Sequence, residues 1–256
     1  MFENSGYSSQ PQGSVVLDGR NTLAVGLIAD IIGVSNFSVV RPISFISNTN
    51  ANRRVGPLGS HYVFNSSSTR VSIFNTVNLA RATVLCLARV SNNGNGHLAR
   101  FGRTGQSNAL SISTSSGLIT ARVGSAGTGT VATPSTPSVI VLRYNGANAN
   151  LFVSGNLLLT QAATYSVGGN VGIGDDGNDT GTGSGDVYLS LFWNRALSDA
   201  EIASVSANPW QLFQRRNATP IFTPTGDSGV LIPDLSSPGV IDVTSNSAKP
   251  ELNVQY

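Results

Sequence analysis

The chain has 256 residues, 40% of them hydrophobic and only 11% charged, with a formal net charge of +2 and 28 glycines. That length can bury a full core within one domain, and so few charges exclude a disordered polyelectrolyte. No apolar run approaches the ~20 residues of a membrane-crossing helix, and the start Met1-Phe-Glu-Asn-Ser-Gly6 lacks the segments of a signal peptide, so neither membrane insertion nor Sec export is expected.

Residues 1–14, rich in Ser, Gln and Gly, read as an irregular arm. Beyond them, short apolar or alternating runs separated by Gly/Asn/Ser turns predict strands near 23–28, 38–43, 61–64, 70–73, 82–90, 97–102, 109–113, 118–123, 138–144, 150–153, 156–159, 170–174 and 186–193. Asn145-Gly-Ala-Asn148 and Ser154-Gly-Asn156 are hairpin signals, because Asn and Gly tolerate positive φ. A meander of this kind builds the curved sheets of a jelly roll, so the expected fold is an all-β sandwich over 15–213.

One helix interrupts the strands. In Leu197-Ser-Asp-Ala-Glu-Ile-Ala203, Ser198 and Glu201 have the spacing of a capping box, and Asp199 complements the dipole in the first turn. Asn208-Pro209 ends the helix after about two turns. A helix that short needs a surface to dock on, and Leu197, Ile202 and Trp210 are the residues expected to make the contact. After Phe213 the pattern changes again. Gln214-Arg-Arg-Asn217 reads as a polar hinge to a C-terminal arm over 214–256, with short strands expected at 229–232, 239–243 and 251–254. Three such pieces cannot hold a core alone and call for partners, a second copy of the chain among them.

The charge is unevenly placed. Between Ile31 and Gly174 there is no Asp or Glu, yet ten Arg occur: Arg41, Arg53, Arg54, Arg70, Arg81, Arg89, Arg100, Arg103, Arg122 and Arg143. Two readings follow: guanidinium groups solvated on strand faces, or groups that meet an acceptor-rich partner such as a protein surface or an acidic polysaccharide. The Arg are scattered and no nucleic-acid motif accompanies them, so nucleic acid is not an expected partner. Cys86, alone in an apolar run, has no second Cys to pair with and reads as a core side chain.

Two stretches carry a family likeness. Gly56-Pro-Leu-Gly-Ser-His-Tyr-Val-Phe-Asn-Ser-Ser-Ser-Thr-Arg-Val-Ser-Ile73 resembles the early hairpin of laminin-G-like, concanavalin A-like lectin/glucanase domains. Gly185-Asp-Val-Tyr-Leu-Ser-Leu-Phe-Trp-Asn-Arg-Ala-Leu-Ser-Asp-Ala-Glu-Ile202 is similar to that family's last strand and following helix, and the likeness extends over about 15–213. In addition, Ala207-Asn-Pro-Trp-Gln-Leu-Phe213 and the ending Ser237-Pro-Gly-Val-Ile-Asp-Val-Thr-Ser245 with Ala248-Lys-Pro250 resemble bacteriophage structural proteins that carry this domain. The resemblance implies a virion component of the tail or tail fibre that presents a lectin-like, concanavalin A-like sandwich to a bacterial surface polysaccharide. Its partners would be other virion proteins and further copies of itself. A purely architectural or capsid-decorating role is the rival.

Within that resemblance, Tyr144, Tyr165 and Tyr188 are the candidates for an aromatic platform under a sugar ring. Lectin-like sandwiches also hold Ca²⁺ in acidic loops. Asp175, Asp176, Asp179 and Asp186 could supply such oxygens, although a soluble Gly-rich loop explains the same residues and the EF-hand spacing is absent. No other cofactor is expected. Nor is catalysis: the fold family's hydrolases carry a Glu-x-Asp-x-x-Glu strand, and retaining glycosidases need two carboxylates about 5 Å apart, whereas the central strands here contain none. His61 and His97 sit in no triad context and read as surface or turn residues.

Overall fold

β-branched and aromatic residues alternating with small polar ones favour a half-buried, pleated surface, and strands dominate the computed structural model. It describes residues 10–11, 15–33, 39–40, 47–49, 52–56, 58–64, 70–90, 96–102, 109–115, 117–124, 126–134, 136–163, 167–174, 185–215, 224–225 and 251–252. In chain order the strands are β1 (Val15–Leu17), β2 (Leu27–Ile32), β3 (Ser47–Thr49), β4 (Asn52–Gly56), β5 (Gly59–Phe64), β6 (Arg70–Leu79) and β7 (Ala82–Val90). There follow β8 (Gly96–Phe101), β9 (Leu110–Ser115), β10 (Leu118–Val123), β11 (Ala126–Ala132), β12 (Ser138–Tyr144), β13 (Asn148–Val153), β14 (Asn156–Ala162), β15 (Val167–Gly174) and β16 (Gly185–Trp193). The helix α1 (Asp199–Ala207) comes next, then β17 (Phe213–Arg215), β18 (Pro224–Thr225) and β19 (Glu251–Leu252).

Two antiparallel sheets face each other. One has seven strands in the order β11-β10-β9-β8-β15-β6-β3; the other runs β14-β13-β12-β7-β16-β5-β4, with β2 also on β16. β16 is flanked on one side by β7 along its length and on the other by β5 first and β2 afterwards. The core between the sheets takes Val84, Cys86, Ile140, Leu142 and Tyr144 from the eight-stranded sheet, and Val71, Phe101, Ile112, Ile119 and Ile173 from the other. Cys86 is fully buried, and burial pushes its thiol up, away from thiolate chemistry. This is the expected all-β jelly-roll sandwich.

The eight-stranded sheet is covered on its outer face as well. Leu85, Leu87, Val141, Leu189, Leu191 and Trp193 point away from the core and pack under Leu197, Ile202, Val205, Trp210 and Phe213. The docked-helix expectation therefore holds, and so does the capping box. The Glu201 N–H donates to the Ser198 Oγ (3.2 Å), and the Ser198 N–H donates to the Glu201 carboxylate (2.8 Å). Arg195 forks onto the same carboxylate at 2.9 and 2.7 Å, and Arg143 donates to the Leu197 carbonyl (3.0 Å) and to Asp199, fixing the helix start to β12. The Arg195 bonds, then those from Ser198, hold the Glu201 carboxyl at about 2, below its ordinary 4.5, against the opposing effect of burial.

A carboxyl depressed in the fold stabilises it above the unfolded value, and that contribution is lost as pH falls from about 4.5 through about 2. The expected result is that Glu201 contributes a stability difference of about 1–2 kcal/mol across this window, since solvent screens a pair at the surface. Glu201→Gln should flatten it. Parallel pH profiles of thermal unfolding for the two proteins would remove the assignment.

Several boundaries differ from expectation for local reasons. The strand expected at 23–28 begins instead at Leu27, because Asn21 caps a short 3₁₀ turn through the Leu23 N–H and Gly26, at φ +76°, turns the chain into the strand. Val39 and Val40, expected within a strand, give their N–H groups to the buried Asp30 carboxylate at 3.1 and 2.8 Å rather than to a ladder. The polar hinge begins with a strand: β17 pairs with β1 in the register Val15↔Arg215 to Leu17↔Phe213, so the sandwich extends past residue 213. Gln10, placed in the arm, is buried, with its backbone N–H on the Leu58 carbonyl. In the C-terminal arm, β19 pairs with β18; the strands expected at 229–232 and 239–243 lie outside the described residues. Among the described residues no helix is long and apolar enough to cross a membrane.

Candidate functional site

The two sheets differ on their outer faces. Where the eight-stranded sheet is apolar and covered by α1, the seven-stranded one is polar. Leu110, Ile112, Ile119, Ala121 and Val123 point into the core. The pleat therefore sends the alternate residues Ser111, Ser113, Thr120 and Arg122 outward. Strand register arranges them in transverse rows. One row runs Gly127, Arg122, Ser111, Arg100, Gly172, Ser72 and Ser47 across all seven strands. The next runs Thr130, Thr120, Ser113 and His97. Gly172 adds no side chain at the middle of the first row.

Several of these groups are deeply set. Ser111 is 1% exposed, Arg100 4% and Thr120 8%, while Arg122 is half-buried. Arg100 donates to the Gly102 carbonyl (2.7 Å), and Ser113 donates to the Thr120 carbonyl (3.2 Å). Ser111 Oγ, Thr120 Oγ1 and Arg122 Nε have no hydrogen-bond partner among the described residues. Buried polar atoms without partners are uncommon, because each forgoes its bonds to water. Three such atoms lie together on the adjacent strands β9 and β10. Sequence reading missed them because serine and threonine alternating on a strand look like ordinary solvent-facing positions.

A second polar group lies on the outer side of the other sheet. The Asp186 carboxylate faces Arg89 at 2.5 Å and His61 Nε2 at 3.7 Å, and the His61 ring rests on Tyr188 with centroids 4.7 Å apart. Burial, reinforced by the nearby Asp186 charge and opposed by Arg89, pushes the Tyr188 phenol up. His61 and His97 are both strand residues, 5% and 4% exposed, so the surface-or-turn expectation is corrected for each. They fill sheet positions on the β5 and β8 outer faces.

The expected site residues fare differently. Tyr144 and Tyr188 are each 1% exposed. Tyr144 faces the inter-sheet core, its hydroxyl on the Ala163 carbonyl (3.4 Å), and Tyr188 sits at a β-bulge with its ring in the outer cluster. Neither offers a ring face to a sugar, because the eight-stranded sheet is packed on both sides; the platform reading is corrected for both. Tyr165, Asp175, Asp176 and Asp179 lie outside the described residues. Asp186, the one described member of the acidic set, pairs with Arg89. Among the described residues no three His, Cys, Asp or Glu side chains converge on a metal-sized point.

The architecture is a two-sheet antiparallel β-sandwich with one polar outer face, and solved structures share the fold. A Trypanosoma rangeli sialidase matches with a TM-score of 0.51 and 18% identity over 72% of this chain, which spans 33% of the sialidase. The binding domain of Paraclostridial Mosquitocidal Protein 1 matches with a TM-score of 0.58 and 12% identity, covering 72% of this chain and 52% of that one. Domain 4 of AbnA, a GH43 extracellular arabinanase from Geobacillus stearothermophilus in complex with arabinotriose, matches with a TM-score of 0.55 and 8% identity over 70% of this chain and 98% of that domain. No protein-family model and no curated protein sequence matches the chain.

Proposed function

We propose that this chain is a non-catalytic glycan-recognition domain of a bacteriophage virion protein, associated with the tail or tail fibre and directed at a host surface polysaccharide. The observation that carries the glycan reading is the outer face of the seven-stranded sheet, where hydroxyl and guanidinium groups stand in register and three of them lack partners among the described residues. Sugars are rich in hydroxyls that pair with such groups. An isolated domain of similar fold, seen with arabinotriose, adds support. The virion reading rests on the sequence likeness of 207–213 and 237–250 to phage structural proteins, and it implies synthesis in the bacterial cytoplasm followed by assembly with other virion proteins.

The carboxylates of the described residues support a binding role over hydrolysis. Asp18, Asp30, Asp186, Asp199 and Glu201 are engaged with Arg20, the Val39 and Val40 amides, Arg89, Arg143 and Arg195 respectively. A glycosidase needs a facing pair free to act as acid and nucleophile. Purified protein is expected to bind at least one member of a panel of neutral and acidic bacterial surface polysaccharides, with amide shifts clustered on β9 and β10, and to release no reducing ends. Failure to bind any member would end the glycan reading, and reducing-end release abolished by one carboxylate substitution would end the non-catalytic one.

A further inference from the structure

Resting on the glycan reading, we infer that the outer sheet face selects acidic sugars, with the carboxylate of a uronic or related acid bound by Arg122 and neighbouring sugar hydroxyls bound by Ser111 and Thr120. Arg122 stands directly opposite Ser111 on β9 and two residues from Thr120 on its own strand. Directly paired residues hold their Cβ atoms about 4.5–5.5 Å apart, so one small ligand spans all three side chains. Ser111 and Thr120 are more than nine-tenths buried and their hydroxyls are unpartnered among the described residues, as is Arg122 Nε.

The sign of the ligand follows from the charges. No acidic residue occurs between Ile31 and Gly174, and no described carboxylate pairs with Arg122. Among the described residues this half-buried guanidinium has no counter-charge, and its planar fork matches a carboxylate through two parallel N–H···O bonds. A neutral sugar would satisfy the two hydroxyls and leave that charge uncompensated. A uronic acid satisfies both, since its carboxylate is attached to a ring that carries hydroxyls on adjacent carbons.

The test uses the full chain and a panel of oligosaccharide pairs, each a uronate or nonulosonate oligomer and its carboxyl-reduced twin, titrated at about 50 mM salt. At least one acidic member is expected to bind tenfold or more tightly than its reduced twin. Arg122→Gln should weaken the acidic form most and close the gap between the two twins to less than twofold. Arg122→Lys, which keeps the charge and loses the fork, should retain only part of the preference, and Ser111→Ala should weaken both twins. Thermal melts establish that each variant is folded. Equal binding of both twins, or a preference untouched in Arg122→Gln, overturns the acidic-sugar inference while leaving glycan recognition standing. Absence of binding to every saccharide overturns both, as does an Arg122-dependent response to a polyglutamate peptide with none to any saccharide.

Discussion

Trp193→Ala is expected to destabilise the sandwich by about 3–5 kcal/mol, through loss of a large buried side chain and the cavity it leaves. Trp193 ends β16, is fully buried, and lies in the outer cluster with Leu23, Leu27, Leu197, Ile202 and Trp210. Its indole N–H donates to the Leu23 carbonyl at 2.7 Å, which ties the 3₁₀ turn to a strand 170 residues away. Alanine also leaves that carbonyl without its partner, at an added cost of about 1–3 kcal/mol. For a domain of this size, 1 kcal/mol moves Tm by about 2–4 °C, so a fall of at least 6 °C is expected. Trp193→Phe keeps most of the volume and should lose little more than the hydrogen bond. A melt of Trp193→Ala within 2 °C of wild type would show that the helix and the 3₁₀ turn are not held through this ring.

The strands most legible in the sequence are those whose two faces differ or are both apolar. β7, β10 and β12 occur with the expected bounds, because the runs 82–90, 118–123 and 138–144 are flanked by turn residues and carry continuous or alternating apolar positions. The hairpin at Asn145 forms as expected: its side chain accepts from the Ala147 and Asn148 N–H groups, and Gly146 takes φ +96°. At the next turn Ser154 and Gly155 both adopt positive φ, the twist that two-residue hairpins require. Two strands missed in the sequence, β4 and β11, lack an apolar stripe. β4, Asn52-Arg-Arg-Val-Gly56, is an edge strand exposed along most of its length, and β11 is an edge strand with two glycines. Nothing in their composition separates them from loops.

The candidate site was the least legible part. Tyr144 and Tyr188 drew notice as aromatic residues, but a jelly-roll sheet covered on both faces consumes its aromatics in packing. Arg122, one of ten scattered arginines in the sequence, acquires meaning only through register, which sets it beside Ser111 and next to Thr120. Register is a long-range property, and one residue of slip would have turned all three into the core.

Truncation should distinguish the sandwich from its C-terminal arm, and two end points are needed. A chain ending at Leu212 loses β17. It then lacks Phe213, 1% exposed and set against Trp210, and the ladder to β1. Loss of that aromatic alone is worth about 3–5 kcal/mol, and β1 is left with an unpaired edge beside partly buried Val15 and Leu17. This chain is expected to melt far below the intact protein or to aggregate. A chain ending at Arg216 keeps every β17 contact and should melt close to wild type. The remaining segment, with Val230-Leu-Ile232 and Val240-Ile-Asp-Val243 between Pro and Gly, is proposed to add strands to neighbouring copies or other virion proteins. Sedimentation should then show the intact chain as an oligomer and the Arg216 truncation as a folded monomer. If the Arg216 truncation unfolds while the intact chain is monomeric, the apolar pieces of the arm complete the domain's own core, and oligomerisation must be sought on another surface.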